Sequence, residues 1–415
     1  MDSNEMLECN GIESEEGFSL LEKPTMSDAD SCPIPDPSDL KFTDVTISEA
    51  YREKAESIGK YLENLKNPSV EKLREFAISE GGLISDDLRR SGWPGLLGIS
   101  SESIEPAPSE SELRSHPEYG QVVLDVNRSI KRFPPGIPYD QRVALQEQLT
   151  NLILRVITKY PHLRYYQGYH DVAITILLVV GEDMAFRIME HLSTEHLRDC
   201  MEPTMEKTSY LLNYIFPLIN HLNPALCDHI DRSSAGTMFC LPWFLTWFGH
   251  SLNHYSDVVR LYDFFLASPP LMPLYLTAAI VHYRQDEVLA ADCNMASIHC
   301  TLSNLPEQLP FEELIVIARR LYEELPPEEA EIEVVQRIKK EKMQREAEEA
   351  ARKAIIAARG RGRDNRGVGG PIRRQLGRLW RQPNSRAQLI LLAVSVAVGL
   401  YAYISSSADY PPVVR

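Results

Sequence analysis

Very little in this sequence is arranged to hold a disulfide, a metal or a nucleotide. The seven cysteines (Cys9, Cys32, Cys200, Cys227, Cys240, Cys293 and Cys300) are odd in number and never fall in a C-x-x-C spacing. That pattern argues against a disulfide framework and a zinc site, and the thiols read as reduced, mostly core side chains in a cytosolic setting. His250, His254, His282 and His299 also lack metal-ligand spacing, so they read as helix-end or surface residues and no metal is expected. There is no G-x-x-x-x-G-K-[ST] loop to cradle phosphates. Nor is there a G-x-S-x-G elbow, which leaves His170-Asp171 without a nucleophile and argues against a hydrolase. The first 39 residues are acidic and carry no apolar core, so no secretory leader is expected. A formal charge of −16 disfavours general nucleic-acid binding.

What is present is a 415-residue chain, 44% hydrophobic, with 28 prolines and only 21 glycines. That is room for a substantial core, and the mix suits a mainly helical globular protein. Residues 1–45, rich in Glu, Asp, Ser and Pro, predict a disordered acidic tail. Residues 46–82 predict a charged helical lead-in, 83–270 the core of one domain and 271–325 its C-terminal helices, closed by Pro326-Pro327. Residues 100–113 read as a Ser/Glu/Pro loop. Helices are expected over about 118–132, 140–159, 208–221, 237–249, 257–267 and 271–285, with 172–180 as a fully buried helix. Leu145, Leu149, Leu152 and Leu154 should face the core, as should Trp243 and Trp247; the alternative for the tryptophans is an aromatic ledge for a partner. Arg89 and Trp93, on one helical face, should pack the first helices.

Residues 326–386 form an alternately charged helical stalk followed by a basic linker, with 11 Lys/Arg against one acid, Asp364, from Arg352 to Arg386. Ala387 to Ile404 is then 18 residues without a charge. At 1.5 Å per residue this is just long enough to span hydrocarbon, and the basic flank keeps the preceding residues cytosolic. The expectation is a tail anchor with residues 405–415 beyond it. Its shortness favours a thin bilayer such as that of the endoplasmic reticulum.

Two words in the middle of the chain carry the chemistry. Val122, Asp125, Arg128 and Arg132 recur at three- and four-residue steps, so on a helix they share a face and Asp125 can brace Arg128. Some forty residues on come Tyr165, Gln167 and Gly168, where Gly168 lets the backbone turn and Gln167 can point outward. Together they resemble the twin signature I-x-x-D-x-x-R and Y-x-Q-G of the TBC-domain family of Rab GTPase-activating proteins. Arg89-x-x-x-Trp93-x-x-Leu96-Leu97 upstream, and Trp243 to Phe248 with Arg260-Leu261-Tyr262-Asp263 downstream, extend the likeness over roughly residues 80–300. With its apolar tail the chain looks like the endoplasmic-reticulum-anchored branch of that family. Val122 and Ser129 depart mildly from the usual residues, and Tyr169-His170-Asp171 replaces a methionine-led ending.

The resemblance implies an all-α, multi-helix TBC domain plus one C-terminal transmembrane helix. It implies a GTPase activator that works in trans on a GTP-loaded Rab of endoplasmic reticulum to Golgi traffic. Arg128 would be the arginine finger and Gln167 the glutamine finger; Asp125, Tyr165 and Gly168 would support them, with Arg132 a phosphate- or partner-facing auxiliary. No cofactor of its own is implied, because GTP and magnesium are carried by the Rab. The partners expected are the Rab and the endoplasmic reticulum membrane, and no nucleic acid. The alternative is a non-catalytic, membrane-anchored Rab-binding adaptor, which would not need Arg128 and Gln167 together. Asn127-Arg128-Ser129 is formally a glycosylation sequon, but in a cytosolic helix no glycan is expected.

Overall fold

A computed structural model describes residues 49–64, 69–99, 106–129 and 138–364. The acidic tail, Arg132, the Pro134-Pro135-Gly136 break, the basic linker beyond residue 364 and the apolar stretch 387–404 lie outside the described residues. Among the described residues no helix is long and apolar enough to cross a membrane. Their regular structure is helical, without a strand. In chain order the α-helices are α1 (Glu49–Asn64), α2 (Val70–Ile78), α3 (Asp86–Leu96), α4 (Glu110–Arg114), α5 (Tyr119–Ser129), α6 (Tyr139–Lys159), α7 (Tyr169–Val180), α8 (Glu182–Thr194) and α9 (Glu206–Leu212). They continue with α10 (Ile215–Leu222), α11 (Pro224–Ser233), α12 (Leu241–Leu245), α13 (Tyr255–Leu266), α14 (Met272–Tyr283), α15 (Gln285–Ala290), α16 (Met295–Ser303), α17 (Phe311–Glu324) and α18 (Pro327–Asp364). The chain divides into two compact units, Met1–Ala330 and Glu331–Arg415. The described part of the second is helix, exposing Met343, Ile355 and Ile356 and laced by i,i+4 ion pairs such as Arg337–Glu341.

Two helices that are buried on nearly every face organise the first unit. In α7, eleven of twelve residues are buried, and it packs on α3, α5, α6 and α8. In α14, ten of twelve are buried, and it packs on α10, α12 and α17. A helix without a polar face is stable only when neighbours surround it, so these two mark the centres of the core. Amphipathic helices do the surrounding. On α6, Leu145, Leu149, Leu152 and Leu154 are all buried, each stabilising the fold by about 1.5–3 kcal/mol relative to exposure.

Helix α13 joins the two centres, touching α2 and α3 as well as α17. Asp263, fully buried, accepts from Arg89 at 3.0–3.1 Å, from Trp93 Nε1 at 2.7 Å and from the Leu83 amide at 2.9 Å. One turn earlier Arg260 donates to the carbonyls of Ala77, Ile78 and Ser79 at the end of α2, and to Glu312. Charged groups this deep persist because each is both paired and hydrogen-bonded.

The structure differs from the expected elements in three places. The loop expected over 100–113 ends in helix α4, opened by a capping box in which Ser109 and Glu112 each take the other's backbone N–H. The single helix expected over 208–221 is two, α9 and α10, parted at Asn213 and Tyr214. The helix expected over 237–249 is a 3-10 turn, Met238–Cys240, and five residues of α12; the chain then turns through Trp247 (φ 48°) and Phe248 (φ 66°). Both rings are buried, Trp247 against Tyr262 and Phe265 at 5.4 and 5.5 Å and Phe248 on Trp243 at 5.7 Å. Aromatic packing therefore overrides helix continuation, and the tryptophans are core, leaving no aromatic ledge made by them.

Candidate functional site

Helix α5 presents Asp125 and Arg128 from one face because they are three residues apart. Asp125 is 1% exposed, whereas the Arg128 side chain is 70% exposed. An arginine nitrogen stands 3.7 Å from Asp125 Oδ1, an ionic contact rather than a hydrogen bond. Asp125 Oδ2 accepts from Gln121 Nε2 at 2.9 Å and from the Tyr165 hydroxyl at 3.1 Å, while Oδ1 has no hydrogen-bond partner among the described residues. Burial, with the Asp125 carboxylate next in weight, pushes the Tyr165 phenol far above its ordinary range. It therefore stays protonated and ties the second sequence word to the first across forty residues.

The second word enters α7 through Gly168 at φ +113°, a left-handed conformation that L side chains avoid. A Cβ there would also lie 2.9 Å from Thr246 Cγ2, so glycine is required twice over. Just before it, Tyr166 turns inward and donates to the Leu245 carbonyl at 2.9 Å, and Gln167 is left exposed. The Tyr165 amide donates to Glu118 at 3.1 Å, fixing the start of the loop at the entrance to α5.

Arg128, Gln167 and Gly168 thus meet on one cavity of about 450 Å³, whose lining also includes the polar Asp125, His170 and Asp171 and the apolar Met205, Leu241, Pro242 and Leu245. Of the residues singled out from sequence, the structure brings together Arg128, Gln167, Asp125, Tyr165 and Gly168; Arg132 is outside the described residues. His250 was missed. Its Nδ1 lies 3.1 Å from Asp171 Oδ2, and His170 Nδ1 lies 2.8 Å from the Tyr165 hydroxyl. A 79-residue separation leaves no local pattern from which the His250 contact could be read. Among the described residues no group of His, Cys, Asp and Glu is disposed to hold a metal ion.

The sequence and the all-helical fold both have known counterparts. Residues 86–289 match the Rab-GTPase-TBC domain, and the chain belongs to this RabGAP-TBC family. It is similar to TBC1 domain family member 20 of Homo sapiens, 51% identical over 260 residues, covering 63% of this chain and 64% of that one. It is also similar to the Bos taurus protein of the same name, 50% identical over 64% of this chain and 66% of the relative. The matched part is thus just under two thirds of either mammalian relative. GTPase-activating protein gyp10 of Schizosaccharomyces pombe is 34% identical, covering 60% of this chain and 68% of its own length. The crystal structure of the Ypt/Rab-GAP domain of Gyp1p shares the fold at a TM-score of 0.53 and 14% identity, covering 66% of this chain and 97% of that domain.

Proposed function

We propose that this chain accelerates GTP hydrolysis on a Rab GTPase of endoplasmic reticulum to Golgi traffic, with Arg128 and Gln167 acting in trans. The observation that carries the reading is that these two exposed side chains, from separate segments, line one cavity, while Tyr165 and the buried Asp125 behind Arg128 are hydrogen-bonded to each other. A small GTPase is slow because it lacks a cation over the developing phosphoryl charge and a well-placed group to orient the attacking water. Guanidinium supplies the first, being always charged and presenting a planar fork of donors to phosphate oxygens. The Gln167 carboxamide supplies the second, with one face to accept from water and one to donate. Such a finger is worth about 10³–10⁵ in rate, or roughly 4–7 kcal/mol of transition-state stabilisation. GTP and magnesium arrive with the Rab.

The membrane part of the proposal rests on sequence. The uncharged stretch 387–404 behind a basic flank supports a single-pass tail anchor in the endoplasmic reticulum, with residues 1–386 cytosolic. Tethering raises the effective concentration toward Rabs of the same membrane.

Single-turnover GTP hydrolysis across a panel of Rabs tests the activity. Residues 49–330 should accelerate one or a few Rabs at least about a hundredfold, and Arg128→Ala and Gln167→Ala should each lose most of that. Tight binding to GTP-loaded Rab with hydrolysis unchanged would instead establish the adaptor.

A further inference from the structure

A glutamine that orients water is effective only if its loop is held in place, since a displacement of about 1 Å can cost a hundredfold in rate. The loop bearing Gln167 is exposed at its tip, and its support comes from across the fold. The end of α12 and the turn after it meet this loop and the first turn of α7 at three points. The Leu245 carbonyl accepts from Tyr166 at 2.9 Å, Thr246 fills the space a side chain at Gly168 would need, and His250 lies 3.1 Å from Asp171 in the first turn of α7. An ionised carboxylate only accepts, so His250 Nδ1 carries the proton of that hydrogen bond.

His250 is itself held from behind. Its amide donates to Thr246 Oγ1 at 3.2 Å, and Thr246 donates on to the Pro242 carbonyl at 2.8 Å. The turn between them runs through two bulky residues, Trp247 and Phe248, in left-handed conformations that non-glycine residues seldom adopt. Strain of that kind persists only where surrounding contacts over-determine it, and it clusters at functional sites. From His250 the contacts run inward: Asp171 Oδ2 is 3.7 Å from His170 Nε2, His170 Nδ1 is 2.8 Å from the Tyr165 hydroxyl, and Tyr165 donates to Asp125 behind Arg128. The His250 side chain is 50% exposed and Arg128 70%, whereas His170, Asp171 and Asp125 between them are buried.

We propose that His250 is a positioning residue for the glutamine-bearing loop, acting through its hydrogen bond to Asp171. The proposal rests on the reading of Gln167 as a finger, but the positioning itself can be measured without any Rab. In the purified full chain, His250→Ala should speed amide exchange in peptides covering residues 164–172 by about tenfold, with the rest of the domain unchanged. His250→Asn, whose amide nitrogen falls near the position of Nδ1, should return exchange to the wild-type rate.

With an activated Rab, His250→Ala should lower the maximal single-turnover rate between about tenfold and a hundredfold at an unchanged half-saturating concentration. His250→Asn should recover most of it. Exchange at 164–172 that ignores His250→Ala overturns the proposal. So does a shift in half-saturating concentration at full maximal rate, which would make His250 a docking contact. If the wild type activates no Rab, the finger reading falls, while the exchange measurement still decides whether His250 holds the loop.

Discussion

Asp125 is nearly inaccessible, yet among the described residues its Oδ1 has no hydrogen-bond donor, and the Arg128 guanidinium stands beside it at 3.7 Å. An orphaned buried oxygen costs about 1–3 kcal/mol, and a small inward shift of the arginine would satisfy it. Asp125 therefore has two separable tasks, accepting from Tyr165 and Gln121 through one oxygen and setting the arginine with the other. Asp125→Asn keeps an acceptor for Tyr165 but removes the charge facing Arg128. It should melt close to the wild type and lose at least about tenfold in maximal hydrolysis rate, because only the arginine is mispositioned. Asp125→Ala removes the acceptor as well, and urea unfolding should show a further loss of about 1–3 kcal/mol. Equal rates for wild type and Asp125→Asn would mean that the carboxylate is structural only.

Among the elements, α13 has the clearest division of labour. Arg260 and Asp263, three residues apart, tie down the end of α2 and, through Arg89 and Trp93, the body of α3 respectively. Removing one partner of a buried, hydrogen-bonded pair leaves the other charge uncompensated, typically at about 3–5 kcal/mol. Asp263→Ala should show that loss in its urea midpoint, while the hydrolysis rate per folded molecule stays near wild type because no finger contact changes. Loss of rate in the folded fraction would place α13 in the catalytic apparatus instead. The Arg260-Leu261-Tyr262-Asp263 word noted in the sequence is thus a structural clamp. Helices such as α6 and α7 were legible because 3.6-residue periodicity, or its absence in an all-apolar run, is a local property. So were the shared face of Asp125 and Arg128, through their three-residue spacing, and the outward place of Gln167 just before the Gly168 turn. The break at Thr246 and the role of His250 were not legible, because aromatic packing and a contact 79 residues apart decide them. The capping box at Ser109 and Glu112 is a local signal, masked by the Ser/Glu/Pro-rich composition of the stretch around it.

At the scale of the whole molecule, buried ionisable groups set how stability responds to alkali. Lys54 donates to the carbonyls of Phe76, Ser79 and Glu80; burial first, and then the charge of Arg260, lower it to about 8. Between pH 8 and its ordinary value of 10.5 the unfolded chain holds a proton there that the folded one has released, so stability rises with pH. Burial moves Cys200 and Cys240 the other way, up to about 12 from 9. Above pH 9 the unfolded thiols lose protons that the folded ones keep, and stability falls. Tyr166, Tyr169, Tyr255 and Tyr262, like Tyr165, are raised by burial in the same sense from their ordinary value of 10.0. Each removes about 1.4 kcal/mol per pH unit once the unfolded phenol titrates, and even four of them remove roughly 5. That approaches the 5–15 kcal/mol typical of a whole domain. Urea midpoints measured from pH 7 to 11 should therefore peak between pH 8 and 9, decline from 9 and collapse above 10. Lys54→Arg, which cannot titrate in this range, should lose the rise before the peak, and replacing Cys200 and Cys240 with alanine should delay the decline to pH 10. A midpoint that falls steadily from pH 7 in the wild type would show that Lys54 keeps its proton in the fold and that α1 holds the end of α2 as a permanent cation.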